Sequence, residues 1–395
     1  MRSPGRAAAA IGILDQILAG APAEKALTAW GRASRFAGSK DRAAVRDLVY
    51  DALRQRRSAL AMAGGEAGGE TGGETGGETG RALVLGILRL RGEDPGFWFD
   101  GSDHAPAPVA AHEVPRAAEG AEAFDIPDWL EAPLRRALGP DFAPVMGAMR
   151  LRAPVTLRVN TARAPREAAM AALLAEGIET APHPLAATAL EVRAGQRLIA
   201  GSRAYAEGLV ELQDAASQAV VLGLPLKDGM RVLDLCAGGG GKTLAMGAQA
   251  RLSLVAHDAS PRRMEDLKIR AARAGLQVRL SARPEDNAPY DLILTDVPCS
   301  GSGSWRRDPE GKWQLTPARL TALTGIQAEI LDRAAAMTAP GGWLGYATCS
   351  FLREENEDQT EAFLARHPGW SLVSDRRYGP LEGGDGFFSA LLSRG

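Results

Sequence analysis

Apolar residues recur at helical spacing along the first sixty positions. Ile11, Ile13, Leu14, Ile17 and Leu18 make one face, and Val45, Leu48, Val49, Ala52 and Leu53 make a second behind the start signal Ser39-Lys40-Asp41. Helix is expected to resume at Arg81 and run to Leu90, so residues 1–100 read as one helical domain. Within it, the Gly-Gly-Glu-Thr repeats of residues 64–80 cannot bury a core and predict a mobile linker. Their period of four is too short for a solenoid. The Ala/Pro-rich residues 101–124 predict a second linker.

From Asp125 the texture changes. Ile126-Pro-Asp-Trp129 opens a helix, 155–160 alternates like a strand, 165–176 is helical, and 190–193 and 209–213 are extended. Residues 125–210 therefore predict a small α+β domain of ferredoxin type. From 211 to 395 strands alternate with helices, with strands expected at 231–235, 253–258, 277–280, 290–296 and 343–348 and a final hairpin at 370–374 and 386–393. Ser260-Pro261 reads as an N-cap followed by proline at the first helical position, closed by Gly275; Thr316-Pro317 starts another helix, with Leu320, Leu323, Ile330, Leu331 and Ala334 on its apolar side. Such alternation predicts a largely parallel, doubly wound α/β sheet of Rossmann-like type. In these sheets ligands sit at the carboxyl ends of the strands.

Composition narrows the class without naming a function. The 395 residues suffice for two or three domains, and 45% apolar with 24% charged residues describes a globular chain. A secretory signal and a run of about eighteen apolar residues are both missing, so a cytoplasmic protein that spans no membrane is expected. The net charge of −2 conceals a bias: residues 1–57 hold 11 Lys+Arg against 5 Asp+Glu, which suits a polyanion surface or merely a solvated helical face. The three cysteines, Cys236, Cys299 and Cys349, show no C-x-x-C spacing, so neither a zinc site nor a disulfide framework is expected.

The chemistry gathers at predicted strand ends. After the strand 231–235, Cys236-Ala237-Gly238-Gly239-Gly240-Gly241-Lys242-Thr243 leads into a helix expected over 243–250. Glycines let a backbone approach a ligand closely, and this loop reads as a cofactor cradle. A P-loop NTPase is the rival, but the first glycine of that motif would fall at position 236, which is cysteine. Asp258 stands where a carboxylate accepts ribose hydroxyls, about twenty residues on. The fourth and fifth strands end in Asp296-Val-Pro-Cys299-Ser-Gly and Ala347-Thr-Cys349-Ser, which brings two thiols over one crevice. The few histidines lie elsewhere, so no metal is expected.

Asp234-x-Cys-Ala-Gly-Gly-Gly-Gly-Lys-Thr243, Asp296-Val-Pro-Cys-Ser-Gly301 and Ala347-Thr-Cys-Ser350 resemble the motifs of RNA cytosine-5 methyltransferases, more closely the RsmB/Sun branch, which acts on small-subunit ribosomal RNA. Phe36-Ala-Gly-Ser-Lys-Asp-Arg42 is similar to the NusB-like helical domain of that branch, and Ala153–Thr161 and Glu211–Gln218 to its linker-domain signatures. The resemblance implies a class I methyltransferase domain preceded by ferredoxin/RRM-like and all-α NusB-like domains, S-adenosyl-L-methionine as cofactor, ribosomal RNA as partner and a monomer. A non-catalytic ribosome-assembly factor on the same fold is the third reading. Two departures stand out: Gly238 and Gly239 replace the family's Ala-Pro, and Ser281-Ala-Arg-Pro284 stands where the family places an adenine-contacting aspartate, with Asp286 a little late.

What the resemblance implies is residue by residue. Cys349 would add to the base, Cys299 would assist release, and Asp296 would bond the base edge. Lys242 is a candidate to ionise the thiol. Cys236, Ala237, Gly238, Gly239, Gly240, Gly241, Lys242, Asp258 and Asp296 would hold the cofactor. Cations between Trp305 and Trp313 (Arg306, Arg307, Lys312) suit RNA phosphates and stacked bases. Arg353-Glu-Glu-Asn-Glu-Asp358 reads as a solvated helix start.

Overall fold

Residues 1–65 and 78–395 are described by the computed structural model, so most of the expected Gly-Gly-Glu-Thr linker lies outside the described residues. The chain divides into one unit of residues 1–135, 139–152 and 305–314, and another of 136–138, 153–304 and 315–395.

The first unit is helical. Its main helices are Ser3–Leu18, Ala23–Ala33, Ser39–Arg54, Arg56–Ala63 and Gly80–Leu90. Ile13, Leu14 and Ile17 of the first predicted face are buried, as are Val45, Leu48, Val49, Ala52 and Leu53 of the second, while Ile11 and Leu18 lie half-buried at the margin. The start signal works through Asp41, whose carboxylate accepts the Gly38 N–H at 3.2 Å. Residues 101–124 do not behave as the expected linker. Arg81 donates to the carbonyls of Ala107 and Pro108 at 2.8 and 2.9 Å, and the Arg116 N–H donates to Ala61 O at 3.0 Å. Arginine side chains thus satisfy the backbone of a stretch that has no apolar periodicity to show its attachment. The helices Asp128–Leu138 and Phe142–Met149, expected to open the α+β domain, fall mostly in this unit as well.

The second unit holds two sheets. In the smaller, β1 (Thr156–Val159), β2 (Glu179–Pro182), β3 (Ala189–Ala194) and β4 (Val210–Leu212) are antiparallel in the order β2-β3-β1-β4. Leu157 stands opposite Leu190 and Leu212. The sequence does not announce β2: it is mostly solvent-facing and ends in proline, which an edge strand tolerates.

The larger sheet contains β5 (Arg231–Asp234), β6 (Ser253–Ala256), β7 (Val278–Leu280), β8 (Tyr290–Asp296), β9 (Thr338–Thr348), β10 (Trp370–Tyr378) and β11 (Phe387–Arg394), in the order β10-β11-β9-β8-β5-β6-β7. The strands from β7 to β9 in that order run parallel, and β11 and β10 are antiparallel additions. Leu233, Ile293, Leu344, Tyr346 and Phe388 fill one face against Leu331 and Phe363. The winding reverses between β5 and β8, which opens a crevice at their carboxyl ends. The small sheet is pinned beside it: Asn160 donates to Gly208 O and Ala274 O at 3.1 and 3.0 Å, and the buried Glu211 pairs with Arg270 and Arg273.

Candidate active site

The strand β5 delivers Asp234 into the crevice with 1% exposure. Thr243 Oγ1 donates to its Oδ2 at 2.6 Å, while Oδ1 has no partner. Burial pushes this carboxyl up to about 7, because water no longer stabilises the charge. The chain then turns through Cys236–Gly240. Gly240 has φ +80°, and a Cβ there would stand 2.1 Å from Leu267 Cδ1, so only glycine fits. The following helix spans Gly241–Gly247, beginning two residues earlier than the expected 243–250. That early start puts Lys242 and Thr243 on its first turn, where Thr243 meets Asp234 and Lys242 Nζ meets Asp296 at 2.7 Å.

Asp258 follows β6 at 4% exposure. Its Oδ2 accepts the Gly238 N–H and its Oδ1 the Ser260 N–H, both at 2.9 Å. The hydroxyl of Ser260 caps nothing, contrary to expectation, and the turn is closed by the aspartate instead.

Strands β8 and β9 end side by side. The Val297 N–H donates to Ala347 O at 3.0 Å and the Gly303 N–H to Cys349 O at 2.9 Å. A Cβ on Gly303 would sit 2.0 Å from Gly386 O, so the loop needs glycine to lie this close. The result is a Cys299 Sγ···Cys349 Sγ distance of 3.3 Å. The sulfurs share a hydrogen bond in which either can donate, and with burial it holds the Cys299 thiol well above its usual value while it lowers that of Cys349. Burial pushes the Cys236 thiol up, so it stays protonated.

A cavity of about 420 Å³ joins these parts. Cys236, Ala237, Gly238, Gly239, Gly241, Lys242, Asp296, Cys299 and Cys349 line it. Gly240 and Asp258 support the wall from behind, through Leu267 and through the Gly238 N–H. Gln213, Ser217, Asp234 and Arg263 also line it and were not singled out as ligands. The fit is to a ligand with a positive amine: the bare Oδ1 of the buried Asp234 borders a glycine-walled space. The two cations of the lining are engaged, Lys242 with Asp296 and Arg263 with Asp258, which counts against the P-loop reading, whose lysine must reach phosphates. Asp286 is exposed, on a turn with Arg283, and does not line the cavity.

Two segments differ from their expected roles. Trp305, Arg306 and Lys312 are buried in the helical unit, where Trp313 Nε1 donates to Leu53 O at 2.8 Å and Lys312 Nζ to Arg54 O at 3.0 Å. Tryptophans that pack on helices are not free to stack on bases. Conversely, Glu355 and Asn356 of the supposedly solvated run have 0% exposure. The local pattern hides them; the one available hint was that both cysteines precede a serine, two hydroxyls in want of a common acceptor. Among the described residues no cluster of His, Cys, Asp or Glu is arranged for a metal, and no helix is long and apolar enough to cross a membrane.

Residues 221–392 match the family described as 16S rRNA methyltransferase RsmB/F, and residues 126–198 match its ferredoxin-like domain. The ribosomal RNA small subunit methyltransferase B of Salmonella arizonae is 35% identical over 284 residues, which cover 67% of this chain and 66% of that one. The chain therefore spans just under two thirds of the length of that relative. The crystal structure of PH0851 shares the fold over 99% of both chains, with a TM-score of 0.75 and 23% identity. A methyltransferase homolog from Pyrococcus horikoshii covers 69% of this chain and 96% of its own, with a TM-score of 0.60 and 24% identity.

Proposed function

Two stretches of this chain, 126–198 and 221–392, make it a member of the RsmB/F family, and on that premise we propose that it methylates C5 of a cytosine in small-subunit ribosomal RNA. The observation that carries the reading is the pair of thiols 3.3 Å apart on the wall of a glycine-lined cavity. Cytosine C5 is a weak nucleophile. Addition of a thiolate at C6 turns the ring into an enamine and moves electron density onto C5, which is covalent catalysis.

The geometry supports the following roles. Cys349 gives up its proton to solvent, a loss that the hydrogen bond with Cys299 favours, and its thiolate forms the S–C6 bond. Asp296, a third exposed and backed by Lys242, bonds the base near N3 and N4. Cys299 assists breakdown of the adduct: the C5 proton passes to water, its electron pair restores the ring double bond, and the S–C6 bond breaks to release the base and the Cys349 thiolate. S-adenosylmethionine supplies an electrophilic methyl group. Asp234 Oδ1 would receive its amine and the backbone of 236–241 would border it, while Asp258, expected to receive the ribose, lies behind the wall and holds that backbone through the Gly238 N–H. Extruding the target base costs a few kcal/mol, on the order of what a loop partly spares.

The test is incubation with labelled S-adenosylmethionine and ribosomal RNA, followed by digestion to nucleosides. Label in 5-methylcytosine is expected. ATP turnover without label would favour the NTPase, and neither would favour a binding factor. Cys349→Ala should abolish transfer while donor binding persists, and Cys299→Ala should leave protein on RNA as an adduct that survives denaturation. A Cys349→Ala enzyme that still transfers methyl removes that sulfur from the reaction.

A further inference from the structure

Glu355 is a carboxylate at 0% exposure that serves both thiol-bearing loops. Its Oε1 accepts the Ser300 N–H at 2.7 Å and Gln327 Nε2 at 3.1 Å; its Oε2 accepts the hydroxyls of Ser300 and Ser350, each at 2.5 Å. Ser300 follows Cys299 and Ser350 follows Cys349. The residues just beyond the two sulfurs therefore share one acceptor. Gln327, on the helix Pro317–Met337, also donates to Pro298 O at 3.0 Å, immediately before Cys299. Asn356 does the same for the other loop: its Nδ2 donates to Ser350 O at 2.9 Å and its Oδ1 accepts from Thr348. Both cysteines are thus gripped on either side.

Packing alone does not explain a charge at this place. A buried carboxylate costs several kcal/mol of desolvation, on the order that an apolar residue of similar volume would avoid. These four donated bonds come from uncharged groups and fill both carboxylate oxygens. Such a hub fixes two loops at once, because each 2.5 Å bond from a serine hydroxyl limits how far its neighbouring sulfur can swing.

We infer that Glu355 is a positioning residue, which touches no substrate and holds Cys299 and Cys349 at the 3.3 Å separation across which their sulfurs share a hydrogen bond. The inference rests on the methyl-transfer reading above. It assigns a role to a run, Arg353 to Asp358, that otherwise reads as a charged helix start.

The experiment compares the full chain with E355A, E355Q and S350A in three measurements. These are kcat and KM for ribosomal RNA, affinity for S-adenosylhomocysteine by calorimetry, and the rate at which diamide closes Cys299 and Cys349 into a disulfide. In that last step the two thiols give up two electrons and two protons, which reduce diamide to its hydrazine. E355A should lose about 100-fold in kcat, the effect of misplacing a reacting group by ~1 Å, with KM and cofactor affinity unchanged within about twofold. Disulfide closure should slow about tenfold, since it reads the sulfur separation directly. E355Q, which keeps the length and one acceptor oxygen, should recover at least part of both, and S350A should release one loop only and fall between. An E355A enzyme with kcat within about threefold of wild type and unchanged closure overturns the inference. So does one whose cofactor affinity and melting temperature fall together with kcat, which is a purely structural role. Should E355A not fold, S350A and E355Q decide by the same criteria. If the unaltered chain makes no 5-methylcytosine, the proposed reaction fails, and disulfide closure in the variants still tests the hub.

Discussion

Lys312 and Glu355 are both charged side chains taken almost wholly out of water, and the molecule treats them in opposite ways. Glu355 receives four hydrogen bonds at its two carboxylate oxygens. Lys312 donates to Arg54 O at 3.0 Å and lies 4.6 Å above the Trp313 ring, with Arg54, Arg56 and Arg150 close enough to repel it. Burial accordingly lowers its pKa to about 8. Asp234 is a third case, with one oxygen satisfied and one bare. A saturated buried charge marks rigid architecture, a poorly satisfied one marks a long stem used for packing, and a half-satisfied one facing a cavity marks the place of a ligand.

The largest effect that separates these roles is on the packing side. Trp305→Ala should cost about 4 kcal/mol in denaturant unfolding, as expected for a nearly buried aromatic, while methyl transfer per folded molecule and RNA affinity stay unchanged. Loss of RNA affinity at unchanged stability would reinstate a base-stacking role. Next is Lys312→Met. The folded chain releases the Lys312 proton near pH 8 and the unfolded chain near 10.5. Between those values the unfolded state binds more protons, so stability should rise with pH across that window. Below it the fold carries a constant penalty of about 3 kcal/mol, which Lys312→Met should relieve at pH 7 while flattening the slope. An unchanged slope would deny that the lysine is buried as a strained cation.

Asp234 gives a ligand-dependent effect. Its folded pKa is raised to about 7, so the empty fold holds a proton that the unfolded chain gives up between 3.8 and 7, and stability falls across that range. A cationic donor needs the ionised form, so its affinity should weaken about tenfold per pH unit below 7, and Asp234→Asn should abolish that dependence in calorimetry. The smallest effect belongs to Glu354, the neighbour of Glu355. It pairs with a half-exposed Arg136, so Glu354→Ala should cost less than about 1 kcal/mol and leave transfer intact. Comparable losses in the Glu354 and Glu355 variants would erase the distinction between them.

Most of the large sheet was legible because buried parallel strands are apolar runs bounded by turns: β5, β7 and β8 lie within a residue or two of their expected bounds. The cavity wall was legible too, since contiguous glycines and paired Cys-Ser steps are rare local patterns. The expected linker at 101–124 was misread because its attachment runs through arginine side chains from distant helices, and β2 because an edge strand needs no alternation. Trp305 and Glu355 were assigned the wrong exposure for one reason: a charged or aromatic run looks the same whether its partner is water or a fold.

By itself the chain's order of residues determined the elements, the succession of a helical, an α+β and an α/β region, and which side chains carry reactive groups. Tertiary structure alone decided that Cys299 and Cys349 lie within a hydrogen bond of each other, that Glu355 stands behind both, and that Asp234 keeps a bare oxygen. Local pattern reports what a residue prefers over a few neighbours. Distances between residues fifty or more positions apart depend on strand order and close packing, which no short window contains.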